Sequence, residues 1–228
     1  LFIAQVVLGV MPVLLLILFV WKKMYQTPIV GTVFIILIFL CNLAYAFLAR
    51  WYAVLHSGVK GERRLFRTVK KLHGTNIVFH NLPVRYKRGR SELDMLIVCH
   101  AGVLIIEVKN HSGTISGSWR DDKWTQRKHY RDGKVTETMM DNPIKQMRRQ
   151  RDIVKSILTA AGENVWIDSV LYFSSPNAKL KISLRESDYV CCESAELLEF
   201  LKSYDSGETL SKSRMEHIAQ ILRESSGV

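Results

Sequence analysis

The chain has 228 residues, 32 Lys and Arg against 21 Asp and Glu, and a formal net charge of +11. That length holds one ordinary domain with additions, and it contains no internal repeat or low-complexity tract. Cys41, Cys99, Cys191 and Cys192 form no CxxC pair, which argues against structural zinc and suits a reducing compartment.

The chain begins with Leu1 rather than Met, which points to a processed or trimmed start. Leu1–Val20 carries no charge, and Ile29–Ala49 is a second uncharged run of 21 residues. Each is long enough to cross the ~30 Å hydrocarbon core as a helix. The link from Trp21 to Pro28 is short, so the two helices are expected to form a hairpin. Trp21, Tyr25, Trp51 and Tyr52 sit at the ends, where aromatic belts form. The first run lacks a small-residue cleavage site, which argues against a signal peptide. No charged residue lies within either run, so neither suggests an ion pathway.

Positive charge sets the expected topology. Arg50, Lys60, Arg63, Arg64, Arg67, Lys70 and Lys71 follow the second run, against Lys22 and Lys23 in the link. The positive-inside rule then puts the C-terminal part in the cytoplasm, below an inner (plasma) membrane crossed twice. The expected division is a membrane hairpin over residues 1–52 and a cytoplasmic domain over 53–228. The hairpin also offers a homo-oligomerisation surface. All but three of the Lys and Arg lie beyond residue 50, and a basic cytoplasmic domain can meet nucleic acid or the anionic leaflet.

Gly61 to Leu72 reads as a helix, with Leu65, Phe66, Val69 and Leu72 on one stripe and Glu62 on the same inward side. Asn76 to Val84 reads as a strand. Lys87, Arg88 and Arg90 surround Gly89 in a basic turn, which could meet phosphate or stand solvated. Leu93–Cys99 and Val103–Val108 are apolar, β-favouring runs joined by a tight turn. Asp94, Glu107 and Lys109 interrupt them. A two-residue loop of His100 and Ala101 sets Asp94 opposite Glu107. A loop of Ala101 and Gly102 sets it opposite Lys109. Either register gathers the three charges on one patch. Two readings of that patch stand. In one, Lys109 ties the acids in a salt bridge; in the other, the carboxylates hold a divalent cation.

Gly113 to Thr138 reads as sheet and turns, with Trp124 as a core residue. His111 and His129 are bases by type alone. Asn142 caps a helix with Pro143 at its first position. Ile144, Met147, Val154, Ile157 and Leu158 form its packed stripe, bordered by Gln146. Arg148 and Arg149 point elsewhere and suit a nucleic-acid backbone. Val165–Ser174 and Tyr189–Cys192 read as strands. Ser194 is expected to cap a helix over Ala195–Tyr204, and Ser213–Glu224 forms the last helix.

Asp94, twelve residues, then Glu107-x-Lys109 on neighbouring strands resembles the PD-(D/E)xK nuclease superfamily. The ordered series Gly61-Glu62, Asp94, Gly102 to Asn110, Gly113, Trp124 and Asn142-Pro143-x-x-Gln146 is similar to the nuclease-related domain (NERD) family. The resemblance covers roughly Gly58 to Leu158. Leu93 stands where the superfamily often has proline, which removes no ligand. The resemblance implies a restriction-endonuclease-like α/β fold, a mixed sheet flanked by helices, here preceded by the two transmembrane helices. It implies Mg2+ or Mn2+ held by Asp94, Glu107 and the Val108 carbonyl, with Lys109 positioning the attacking water or stabilising negative charge in the transition state. It gives Glu62 and Gln146 supporting roles. By their charge Lys87, Arg88, Arg90, Arg148 and Arg149 are the expected nucleic-acid contacts, and membrane attachment beside a nuclease fold favours DNA. The alternatives are a tethered module that binds nucleic acid or protein without cutting, and a structural membrane subunit.

Overall fold

The uncharged N-terminal runs form helices. The computed structural model describes residues 2–21, 28–72 and 74–226, in two compact units, Leu1–Val59 and Lys60–Val228. Helix α1 (Phe2–Trp21) has 20 residues and α2 (Pro28–Val69) has 42. Within the first unit, a Cβ on Gly9 would lie 3.3 Å from the Tyr45 ring. The small residue lets the two helices approach. Asn42, a polar residue within the apolar part of α2, donates to its own Ile38 carbonyl at 2.8 Å.

Of the two expected spans, one is a clear candidate. Gly31–Tyr52 is the one stretch among the described residues long and apolar enough to cross a membrane. Among the described residues of α1 the apolar stretch is Gly9–Leu18, shorter than the ~20 residues a span needs. The link residues Lys22, Lys23 and Tyr25, and the ring of Trp21, lie outside the described residues.

Helix α2 runs unbroken to Val69, so Gly61 and Glu62 lie inside it and open no helix of their own. No proline or capping residue interrupts it there. Leu65 and Val69 are buried as the stripe requires, but Phe66 is exposed and meets the His80 ring edge-on.

The second unit continues with β1 (Ile77–Tyr86), β2 (Gly89–Cys99), β3 (Gly102–Lys109), β4 (Gly113–Ser118), β5 (Lys123–His129) and β6 (Val135–Asp141). Helix α3 (Pro143–Ala160), strands β7 (Ile167–Phe173), β8 (Ala178–Ser183) and β9 (Tyr189–Cys191), and helices α4 (Ser194–Ser203) and α5 (Lys212–Ser226) complete it. The expected capping role of Ser194 is not seen. Glu193 holds the cap position without a side-chain bond, and Ser194 Oγ pairs with the Tyr172 hydroxyl at 2.7 Å.

The strands make two mixed sheets, β1-β2-β3-β7-β9 and β6-β5-β4-β8. Strand β3 is central to the first, antiparallel to β2 and parallel to β7. Its apolar run is continuous because both faces are covered. Val103 and Ile105 pack towards α3 and α5, while Leu104 and Ile106 pack towards Leu65, Val69 and Leu197. A third core joins Ile115 and Trp124 of the second sheet to Ile144 and Met147 of α3 and Phe173 of β7.

Trp124 is fully buried and donates its indole N–H to the Ser118 carbonyl at 2.9 Å. A Cβ on Gly117 would meet its ring at 2.3 Å. The indole is held by that bond and by packing, so it cannot withdraw cheaply. Gly117→Ala is expected to lower stability by about 1–3 kcal/mol, measured by denaturant unfolding of the detergent-solubilised chain. An unchanged midpoint would show that the ring can move.

Candidate active site

The turn between β2 and β3 decides the register. Cys99 pairs with Gly102, so His100 and Ala101 form the loop. Gly102 has φ +125°, and a Cβ there would lie 2.7 Å from the Trp166 carbonyl oxygen, which only glycine allows. Pairing runs as far as Met95 and Ile106, leaving Asp94 and Glu107 next along the two strands.

The regular ladder ends there for a local reason. Leu96 and Val98 pack on the α3 side of β2, and Met95 and Ile97 on the other. Leu93 is back on the α3 side, out of alternation. The break coincides with Asn81 of β1, whose φ is +48°. Asp94 lies at this irregularity. Its Oδ2 accepts the Val108 N–H at 2.7 Å, so a carboxylate takes the place of a backbone partner.

Glu107 is 1% exposed. Three donors hold it. Lys109 Nζ and Gln146 Nε2 reach Oε1 at 2.6 and 2.7 Å, and Gln150 Nε2 reaches Oε2 at 2.6 Å. Lys109 Nζ also donates to Gln146 Oε1 at 3.0 Å, which closes a triangle. A buried carboxylate needs this much compensation. Burial first, then the Glu107 charge, raises the Asp94 carboxyl to about 7, against the Val108 N–H and Lys109. Glu62 adds a smaller upward push. Asn81 Nδ2 donates to Glu62 Oε2 at 3.3 Å.

The position of Glu62 follows from its neighbour. A Cβ on Gly61 would fall 2.9 Å from Ser174 Oγ and 3.1 to 3.2 Å from Asn110 and Val108 side-chain atoms. The bare glycine lets α2 sit against the end of β3. Arg64 adds a hydrogen bond to the Ser174 carbonyl.

Gln146 and Gln150 lie one turn apart on α3, so both face β3. Asn142 sets the helix start. Its Oδ1 accepts the Ile144 N–H at 2.9 Å, and its Nδ2 donates to the Ser118 and Asp121 carbonyls at 3.1 and 2.7 Å. Gln150 is a residue that sequence reading passed over. It is fully buried, also donates to the Glu92 carbonyl at 3.1 Å, and its Oε1 has no partner. Its spacing of four from Gln146 on an inward helix face was the available signal.

The basic candidates lie apart from this cluster. Lys87, Arg88 and Arg90 are exposed, and the turn between β1 and β2 is five residues, about 16 Å, along the strand from Asp94. Arg148 Nη2 donates to both Asp188 carboxylate oxygens, at 2.6 and 2.8 Å, and the guanidinium lies beside the Trp119 ring. Arg149 is exposed.

The sequence model of the nuclease-related domain matches residues 57–174, which contain every residue of this cluster. The chain belongs to that family. An uncharacterized protein of Bacillus anthracis is 34% identical over 71 residues, 30% of this chain and 34% of the relative. The match thus spans about a third of that curated relative. No solved structure matches. The NERD region ends at Ser174, so it takes in β1 to β7 with α3 and leaves β8, β9, α4 and α5 outside the match.

Two outcomes follow from the geometry. The folded Asp94 carboxyl binds its proton more tightly than the unfolded one. Its contribution is therefore fully present below pH 4 and lost as pH rises through about 7. In EDTA, wild-type stability relative to Asp94→Asn is expected to fall by up to about 4 kcal/mol between pH 4 and pH 8, read from paired denaturant titrations. A constant difference would place the carboxyl in ordinary solvent. Gln150→Ala removes a donor from a buried charge and is expected to cost about 2–3 kcal/mol in the same measurement at pH 8.

Proposed function

We propose that this nuclease-related domain is a catalytic nuclease that hydrolyses a phosphodiester bond of nucleic acid, DNA in the first instance. The observation that carries the reading is the Asp94–Glu107–Lys109 cluster. One carboxylate is buried against an ammonium, and a second is pushed up to about 7 by burial and by its neighbour.

The reading includes Mg2+ or Mn2+ held by Asp94, Glu107 and the Val108 carbonyl. The donor set fits a hard divalent ion, because it consists of oxygens. The mutual repulsion that raises Asp94 is what a cation between the carboxylates would relieve. The unpartnered Gln150 Oε1 beside Glu107 is a buried acceptor that a water could satisfy. Among the described residues no group of three or more His, Cys, Asp or Glu comes together, so carbonyl and water oxygens would complete the shell. When bound, such an ion supplies Lewis acidity toward the phosphate and the attacking water.

The chain's own residues divide the remaining work. Lys109 Nζ would donate to the oxygen on which charge develops, turning from Glu107 as it does so. Gln146 keeps that amine aimed, and Gln150 holds Glu107 when the amine departs. Glu62 supplies further negative charge next to Asp94. Lys87, Arg88, Arg90, Arg148 and Arg149 would meet the more distant backbone of the substrate.

The anchor belongs to the same proposal. Gly31–Tyr52 would cross the inner membrane and α1 would return beside it. The basic residues from Arg50 to Lys71 favour a cytoplasmic domain. A second reading has an observation of its own. Both Glu107 oxygens and the Lys109 ammonium are engaged within the protein, as a binding module that never cuts would have them.

Cleavage of labelled DNA by the detergent-solubilised chain separates the two. Activity in Mg2+ or Mn2+ is expected to vanish in EDTA. Lys109→Ala is expected to reduce it about 100-fold or more with the circular dichroism spectrum unchanged. Undiminished cutting by Lys109→Ala would refute the assignment, and no cutting by wild type in either metal would favour the binding module.

A further inference from the structure

Strands β1 and β2 run on past the rest of their sheet. Pairing of β2 with β3 stops at Met95, yet β1 and β2 stay paired from Leu82 and Leu93 out to Tyr86 and Gly89. Residues 82–93 thus form a two-stranded arm beyond the acids of the candidate site. One face of the arm is packed. Leu82, Val84 and Leu93 are buried with Ile153 of α3, and Tyr86 lies against the same cluster. A Cβ on Gly89 would meet the Ile153 side chain at 3.3 Å. Side chains alternate along a strand, so Pro83, Arg85, Arg90 and Glu92 share the opposite face, and all four are exposed.

Arg85 and Arg90 are direct cross-strand partners. Their Cβ atoms are therefore about 4.5–5.5 Å apart, where like charges cost stability. Glu92 is the acid on this face and stands opposite Pro83. Among the described residues neither arginine has a carboxylate at ion-pair distance. Lys87 of the turn leans to the Tyr86 ring, with Nζ 5.4 Å from its centre, which leaves the middle of the outer face to the arginine pair. An anion between the two guanidiniums would relieve their repulsion, and each guanidinium presents a fork of donors that matches phosphate oxygens.

The arm is held at a fixed distance from the candidate site. Gln150 Nε2 donates to the Glu92 carbonyl at 3.1 Å and to Glu107 Oε2 at 2.6 Å, so one side chain ties the arm to the buried acid. The turn is two residues long, Lys87 and Arg88, with Lys87 at φ +51°. Asn81, at the foot of the arm, donates to Glu62 of α2 at 3.3 Å, so the face away from α3 leads to the acids. Arg90 is four residues, about 13 Å, from Asp94 along β2. That reach corresponds to about four nucleotides of a duplex strand at ~3.4 Å each, and to fewer of an extended single strand.

We propose that Arg85 and Arg90 together bind one backbone phosphate of a nucleic-acid strand. Resting on the nuclease reading, that phosphate lies a few nucleotides to one side of the bond cut at Lys109, and the substrate must extend that far to be held. Two arginines on one phosphate give a shared contact, which differs from two separate surface charges in what their removal does.

The test is binding of fluorescein-labelled DNA, a 20-nucleotide single strand and its duplex, to the full chain in detergent with EDTA, followed by anisotropy over a salt series. Arg85→Gln and Arg90→Gln are each expected to weaken binding about 10-fold. The double variant is expected to lose far less than the product of the two, because both remove the same contact. The salt slope is expected to flatten by about 0.7–0.9, one phosphate, in single and double variants alike. Denaturant midpoints are expected to stay level or rise, since facing like charges are removed. In metal, the double variant is expected to raise KM for cleavage and leave kcat within about twofold. A control pair, Lys155→Gln/Lys202→Gln, removes two exposed charges from α3 and α4. Losses equal to that pair, losses that multiply with a slope change of two phosphates, lowered midpoints, or no binding by wild type would overturn the assignment. Binding is read without metal, so absent cleavage would sink the nuclease reading and leave the phosphate contact standing.

Discussion

The arrangement around β3 depends on keeping a carboxylate charged while it is almost wholly removed from water. Glu107 ends an apolar run that packs on both faces, and only three donors make its position tolerable. One comes from its own strand and two from α3. Removing one partner from such a group exposes the full cost of desolvation, commonly 3–5 kcal/mol for a buried ion pair. Strand β3 and helix α3 are thus joined by a polar contact inside an otherwise apolar interface. That contact fixes how far along each other they lie, because Gln146 and Gln150 must both reach the same side chain.

A regular sheet would have put Asp94 into the ladder. The left-handed residue Asn81 and the reversal of faces around Leu93 leave the Val108 N–H for a side chain instead. The distortion brings the two acids together at the point where β2 and β3 cease to pair. Gly61 matters for a related reason. Its missing side chain lets a helix backbone come against Val108 and Asn110, so that Glu62 adds to the same electrostatic field. Charge of one sign is concentrated on the acids, and charge of the other is carried by Lys109 and, beyond His111, by Lys128.

Most elements were legible because their signals are local. Apolar run length gives α1 and α2, β-branched runs give β2 and β3, and Asn142-Pro143 gives the start of α3. The charged residues that interrupt β2 and β3 gave the candidate site. What was hidden depends on distance through space. The choice between two turn registers rests on the room that Gly102 finds against Trp166. The partnership of Arg148 with Asp188 joins residues 40 apart. Gln150 looks like any polar residue in a basic helix until β3 is placed beneath it. Strand β8, for which no strand was read from the sequence, has an alternating pattern in Lys179-Leu-Lys-Ile182. Its inward side packs only once Ile115 and Trp124 supply a core.

Asn142 is shared between two jobs, the first turn of α3 and the bend between β4 and β5, whose Ser118 and Asp121 carbonyls it binds. The bend therefore acts as a lever on the glutamines further along the helix. A residue inserted between Ser118 and Lys123 would alter the pitch at which α3 leaves the sheet and would be felt at Glu107. A residue inserted between Arg131 and Lys134 would lengthen a free tip and leave that carboxylate undisturbed. Relatives that vary in loop length should accordingly tolerate change in the second bend and resist it in the first.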